Sequence, residues 1–126
     1  MTIVVTAAVI EREGRFLVTR RLRGTHLEGL WEFPGGKCDE GESLAGCLTR
    51  ELVEELGSNA TIGKEIFQVT HDYPDRSVAL HFFACSLTSE PRPLLGQEMR
   101  WVARADLRSL TFPPADEELI DLLERS

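Results

Sequence analysis

The sequence predicts an α/β domain in which a mixed β-sheet lies between helices. Three observations carry this expectation. Two runs rich in Val, Ile, Phe and Thr, residues 3–11 and 15–21, flank the polar turn Arg12-Glu13-Gly14 and read as a hairpin. Residues 43–56 carry a leucine at every fourth position, which is helical spacing. Further strand-like and helix-like runs then interleave along the chain. The opening hairpin excludes a purely parallel sheet, and the interleaving places helices on both faces.

Residues 22–30 have little periodicity and read as a loop. Trp31-Glu32-Phe33 reads as a short strand ended by Pro34-Gly35-Gly36, and residues 37–42 as a polar loop. Ser43 is placed to cap the next helix and Gly57 to stop it. Leu44, Leu48, Leu52 and Leu56 form its apolar stripe, with Ala45 beside them. Residues 65–73 and 78–87 are two further strands around Pro74-Asp75-Arg76. The centre of the second is almost wholly apolar, which predicts burial on both faces. Residues 89–96 form a proline-bearing loop and residues 100–103 a short strand. Pro113-Pro114 open a last helix, residues 115–124, carrying Leu119, Ile120, Leu122 and Leu123. No linker, repeat or low-complexity tract divides the chain, so residues 1–126 read as one domain.

The balance of 42% apolar and 28% charged residues is that of a globular protein. A net charge of −7 argues against a sequence-independent grip on a nucleic-acid polymer, which needs a basic surface. An acidic chain that acts on a phosphate compound needs a divalent cation between the two. Cys38, Cys47 and Cys85 are odd in number, and no pair has a zinc or redox spacing. They are expected to be reduced thiols of an intracellular protein. Residues 3–10 are too short to span a bilayer, so the expectation is a cytoplasmic protein without a membrane partner.

The chemistry concentrates in residues 36–58. Glu51, Glu54 and Glu55 are neighbours on a helix, spread over an arc of roughly 100°. Like charges at that spacing repel, and a hard cation such as Mg²⁺ would relieve the repulsion through carboxylate oxygens. The alternative is a solvated charged face, the commonest fate of such helices. On a helical wheel, however, Glu51 and Glu55 fall within roughly 20° of Leu44, so they adjoin the apolar stripe. Arg50 is the single cation within the helix, residues 43–56. Position alone leaves both readings open.

Gly36, Glu42, Arg50, Glu51, Leu52, Glu54, Glu55 and Gly57 fall in the order and spacing G-x5-E-x7-R-E-U-x-E-E-x-G-U, where U is bulky and apolar. This stretch resembles the Nudix box. Ser58 departs from it, standing where an apolar residue is usual. Thr19-Arg20-Arg21, the run from Leu30 to Lys37, and Phe112-Pro113-Pro114-Ala115-Asp116-Glu117 are similar to the MutT-type branch. The resemblance covers most of the chain. It implies an α/β/α sandwich and hydrolysis of a nucleoside triphosphate to the monophosphate and pyrophosphate.

The resemblance also implies roles. Glu51, Glu54 and Glu55 would hold Mg²⁺, with Mn²⁺ as a substitute, and the carbonyl of Gly35 would join them. Arg50 would orient the glutamates, and Glu42 would support them. Many relatives add a carboxylate before the last strand. Leu95 stands in that place here, and Glu98 is the nearest substitute. Arg21, His26, Glu32, Phe33, Pro34, Arg76 and Asp116 would bind substrate. An ionised Asp116 only accepts hydrogen bonds, so it suits either a guanine-type edge or the N4 amine of cytosine.

The first expectation is a sanitising enzyme for an oxidised purine nucleotide, 8-oxo-dGTP. The second is a CTP or modified-pyrimidine pyrophosphohydrolase. Other diphosphate-linked substrates, and a nucleotide-binding sensor without activity, complete the range. The partner is a small molecule in each case, and the chain is a monomer or homodimer.

Overall fold

The structure is a computed structural model and describes residues 1–125. Its elements are β1 (Thr2–Arg12), β2 (Arg15–Arg20), β3 (Trp31–Glu32), β4 (Gly35–Lys37), α1 (Leu44–Leu56), β5 (Ala60–Tyr73), β6 (Arg76–Leu87), β7 (Met99–Ala103) and α2 (Glu117–Arg125). Two 3₁₀ turns, Arg104–Ser109 and Pro114–Asp116, lead into α2.

β1 organises the sheet. Along one side, from Thr2 to Ile10, it runs parallel to β6, and β6 pairs antiparallel with β5. Along the other side it changes partner. Val5 to Ala7 pair with β4, whereas only Glu11 and Arg12 pair with β2, at the hairpin end. β1 and β2 therefore diverge, and Pro34 fills the fork by accepting a 2.7 Å hydrogen bond from Ala8 N–H. β2 continues the sheet through β3 and β7.

The period of two along β1 feeds two cores. Ala7 and Val9 face Phe16, Val18, Phe33, Phe82 and the α2 residues Leu119, Ile120 and Leu123. Ala8 and Ile10 face Leu17, Phe83 and the α1 stripe of Leu48, Leu52 and Leu56. Helices thus cover both faces, as the sequence predicts.

Several expectations need correction. Residues 35–37 form a strand rather than a turn, because the two glycines let β4 lie close against β1. β5 begins at Ala60, not residue 65, since register shifts between Ile62 and Phe67 hide its pattern. β6 is buried on both faces only at its centre, where Phe82 and Phe83 enter opposite cores; the rest is half covered, apart from exposed Ser86. The thiol expectation is overturned for two cysteines. Cys38 and Cys47 are disulfide-bonded, with Cα atoms 5.3 Å apart, and Cys85 alone is free. β4 carries Cys38 past the first half of α1, a proximity that nine residues of sequence separation do not signal. Ser58 is buried, not misplaced. Its hydroxyl donates at 3.0 Å to the carbonyls of Asn59 and Ser89 and accepts from Ser89 Oγ. The box position usually filled by an apolar contact is filled here by hydrogen bonds.

Candidate active site

α1 presents the glutamates because both of its ends are fixed. Ser43 Oγ accepts from Gly46 N–H at 3.0 Å, and Gly57, at φ 65°, ends the helix in the left-handed conformation. With Leu48, Leu52 and Leu56 fully buried, the adjoining stripe of Glu51 and Glu55 is held along the fork between β1 and β2.

The three acids sit in different surroundings. Glu54 is largely exposed, Glu51 is partly covered and Glu55 is buried. Glu55 accepts from Thr19 Oγ1 and from Gly35 N–H, each at 3.2 Å. Burial, reinforced by the neighbouring charges of Glu32 and Glu51, pushes its carboxyl up to about 7. Burial also raises Glu51, against the pull of Arg50.

Arg50 is the hub. Its Nε and Nη2 each donate to Glu42 at 2.8 Å, its Nη1 to Glu51 at 2.9 Å and to Glu54 at 3.3 Å, and its Nη2 to the Lys37 carbonyl at 3.2 Å. The hydrogen bonds from Arg50 and from Asp39 N–H bring Glu42 down to about 2. The guanidinium therefore orients Glu51 and Glu54 and ties the loop before α1 to the helix.

The glycines are required by contact. A Cβ on Gly36 would lie 2.3 Å from Glu51 Oε2, and one on Gly35 would lie 2.0 Å from the Thr6 carbonyl oxygen. Backbone and carboxylate thus share a space that any side chain would fill. Oxygen donors from Glu51, Glu54, Glu55 and the Gly35 carbonyl match a hard divalent cation. Such a charge would also return the raised carboxyl of Glu55 to its ionised form. Among the described residues no three acidic, His or Cys side chains already converge on a common point, and Arg50 holds two of these.

Beside this acidic cleft lies a cavity of about 250 Å³. Val5, Val78, Leu80, Phe33 and Phe82 give it apolar walls, and Arg21, His26, Glu32, Tyr73, Arg76 and Asp116 give it polar ones. Arg21, Glu32 and Gly35 line both the cavity and the cleft that holds Glu51 and Glu55. Arg21 donates to Glu32 at 2.9 Å and to the carbonyl of His26. Phe33 stacks on Phe112 and meets Phe82 edge-on, so it serves core and cavity together. Asp116 is buried, and among the described residues no side-chain hydrogen bond ties its carboxyl to the protein. Burial, with the charges of Glu32 and Glu117, raises it to about 7.

The site thus gathers most of the predicted residues. Two are placed elsewhere. Pro34 does not line the cavity, because it is committed to the fork between β1 and β2. Glu98 binds Arg100 at 2.8 Å and Arg20 at 3.4 Å, and these two cations draw its carboxylate out of the cleft. His26 reaches Arg21 through its backbone, while its ring packs edge-on against Tyr73.

Sequence reasoning missed Tyr73, Thr19 and Gln97. Tyr73 stands next to the turn quoted for Arg76, and an aromatic beside a turn arginine is the signal that was there to use. Gln97 is buried, donates to the Glu55 carbonyl at 3.1 Å and accepts from Leu95 N–H at 2.9 Å. It fixes the loop that carries Leu95 over the cleft.

Comparison with known proteins yields four findings of weight. A family model described as NUDIX domain matches residues 5–122. The 8-oxo-dGTP diphosphatase of Haemophilus influenzae is 37% identical over 121 residues, covering 94% of this chain and 89% of that protein. The CTP pyrophosphohydrolase of Escherichia coli is 43% identical over 122 residues, covering 93% and 87%. Among solved structures, the MutT protein of Methanosarcina mazei matches with a TM-score of 0.88 at 26% identity, covering 98% of this chain and 94% of that one.

Proposed function

This chain belongs to the NUDIX domain family, and from that premise we propose that it hydrolyses nucleoside triphosphates to the monophosphate and pyrophosphate with Mg²⁺, or Mn²⁺ in its place. The preferred substrate is an oxidised purine nucleotide of the 8-oxo-dGTP type, and the role is sanitation of the nucleotide pool in the cytoplasm. The observation that carries this reading is the junction of a base-sized cavity with an acidic cleft through Arg21, Glu32 and Gly35. A base in the cavity leads its phosphates past Arg21 into reach of Glu51 and Glu55.

Each part of the site then has a task. The apolar walls around Phe33 and Phe82 take the base by stacking and exclusion of water. Asp116 meets its hydrogen-bonding edge. Arg21 offers a planar pair of donors to phosphate at the junction. Glu51, Glu54, Glu55 and the Gly35 carbonyl hold the cation, which supplies charge neutralisation to the diphosphate when bound. Arg50 keeps the acids in register. Water adds to a phosphorus, the phosphoanhydride P–O bond breaks, and pyrophosphate leaves.

A second reading, hydrolysis of CTP or an oxidised cytosine nucleotide, fits Asp116 equally. An ionised carboxylate there accepts from the N4 amine of cytosine. The similarity to the Escherichia coli CTP pyrophosphohydrolase supports it as well. The test is kcat/KM with Mg²⁺ for 8-oxo-dGTP, dGTP, CTP and 5-hydroxy-CTP, with pyrophosphate detected. A preference for 8-oxo-dGTP over dGTP by at least about tenfold, near 1.4 kcal/mol, is the expected result. A preference for the cytosine nucleotides establishes the second reading, and inactivity on all four rejects both.

A further inference from the structure

The bond between Cys38 and Cys47 sits where the backbone of the cleft meets its helix. Cys38 lies two residues beyond Gly36, at the end of β4. Cys47 lies one helical turn before Glu51, on the face of α1 that also carries Glu55. Thr6 Oγ1 stands 3.3 Å from Cys47 Sγ and 3.9 Å from Cys38 Sγ, so β1 backs the pair. Cys47 is wholly buried and Cys38 only partly, so Cys38 is the residue of the pair that meets solvent. Cys85 takes no part, being on β6 with its thiol facing the Phe83 carbonyl.

We propose that Cys38 and Cys47 are a reversible redox site whose closure clamps the Gly35–Gly36 segment against the glutamate face of α1 and thereby tightens divalent-cation binding. Arg50 also joins residues 37–42 to the helix, through Glu42, Asp39 and the Lys37 carbonyl. A covalent tie removes freedom that cation binding would otherwise have to remove. In a reducing compartment a disulfide of this kind is a transient, sensing one. The oxidant is a low-molecular-weight disulfide. The Cys38 thiolate attacks it, expelling one thiolate and leaving a mixed disulfide on Cys38. The Cys47 thiol loses its proton, its sulfur attacks the Cys38 sulfur, and a second thiolate leaves. Two protein thiols are oxidised, one small disulfide is reduced, and the two protons end on the two released thiols. The same oxidising conditions that damage nucleotides would then sharpen the enzyme that removes them, a link that rests on the function proposed above.

The experiment compares the folded protein equilibrated with glutathione disulfide and with dithiothreitol. Thiols counted after denaturation are expected to number one per chain in the first case and three in the second. The metal-free melting temperature is expected to fall by about 8 °C on reduction. Mn²⁺ binding, followed by loss of the free-ion paramagnetic resonance signal, is expected to weaken about fivefold. Cys38→Ser should match reduced protein in either buffer, and Cys85→Ser should match wild type. Should Cys38→Ser not fold, the reduced wild type supplies the same comparison. Three thiols after glutathione disulfide overturn the proposal. So does a disulfide that forms yet leaves Mn²⁺ affinity unchanged. Neither result depends on turnover, so each is separable from failure of the substrate assignment.

Discussion

Glu55 and Asp116 are both buried carboxyls raised to about 7, yet they face different neighbours. Glu55 already accepts from Thr19 and Gly35, whereas Asp116 opens onto the cavity. Glu55→Gln is therefore expected to keep the fold and lower kcat at least about 100-fold, because on the proposed function the lost charge would hold the cation. A folded variant with wild-type turnover would sink the metal assignment. For Asp116 the effect on stability has a definite sign. Its folded value lies above the ordinary 3.8, so the native state binds the extra proton between about 4 and 7. Wild-type stability should fall as pH rises through that window and stay low above it. Glu55 contributes in the same direction, so the comparison must be with Asp116→Asn. That variant should gain about 2 kcal/mol over wild type at pH 8.5 and much less at pH 5, as read from urea unfolding. The adjacent glycines make a second contrast. On Gly36 a methyl meets the mobile end of Glu51, whereas on Gly35 it meets the backbone of β1. Gly36→Ala should cost roughly tenfold in kcat with little change in melting temperature. Gly35→Ala should melt at least about 10 °C lower, since β1 cannot yield without disturbing both cores.

At the level of elements, α1 was fully legible in the sequence. Its leucine spacing, its Ser43 cap and its Gly57 stop all agree with the structure, because each is a local signal. Ser43→Ala is expected to cost about 1 kcal/mol of unfolding free energy, through loss of the bond to Gly46 N–H. β4 was not legible. Its residues Gly35-Gly36-Lys37 have no strand propensity, and they pair with β1 only because the fork brings them there. The disulfide was hidden for the same reason, as its two cysteines meet only once β4 lies along α1. Site residues followed the same division. Glu51, Glu54 and Glu55 announce themselves by spacing on one helix. Gln97 does not, because its role depends on reaching the end of α1 from a loop some 40 residues later. Glu98 was drawn away by Arg20 and Arg100, a competition that spacing cannot display.

Taken whole, the molecule places its chemistry at the fork where β1 and β2 diverge, between the two packed faces of the sheet. The α2 core supports the cavity through Phe33 and Phe82, and the α1 core supports the cleft. Since the fold rests on those cores rather than on the cation, EDTA should abolish pyrophosphate release while far-ultraviolet circular dichroism stays unchanged. Mg²⁺ added at ten times its dissociation constant should stabilise the native state by roughly 1.4 kcal/mol, a rise in melting temperature of about 4 °C. An unshifted melting curve under those conditions would show that the cleft does not take the ion.

The parallel pairing of β1 with β6 has a consequence in time. Ile10 lies opposite Cys85, so β1, once made, waits for a partner made roughly 75 residues later. At about 5 to 20 residues per second that interval is several seconds. During it β1 can pair only with β2 at the hairpin end and with the short β4, and its other long edge stays open to other strands. The acidic charge of the chain then has a part to play before any substrate arrives. Mutual repulsion between nascent copies keeps those open edges apart until β6 emerges and covers them.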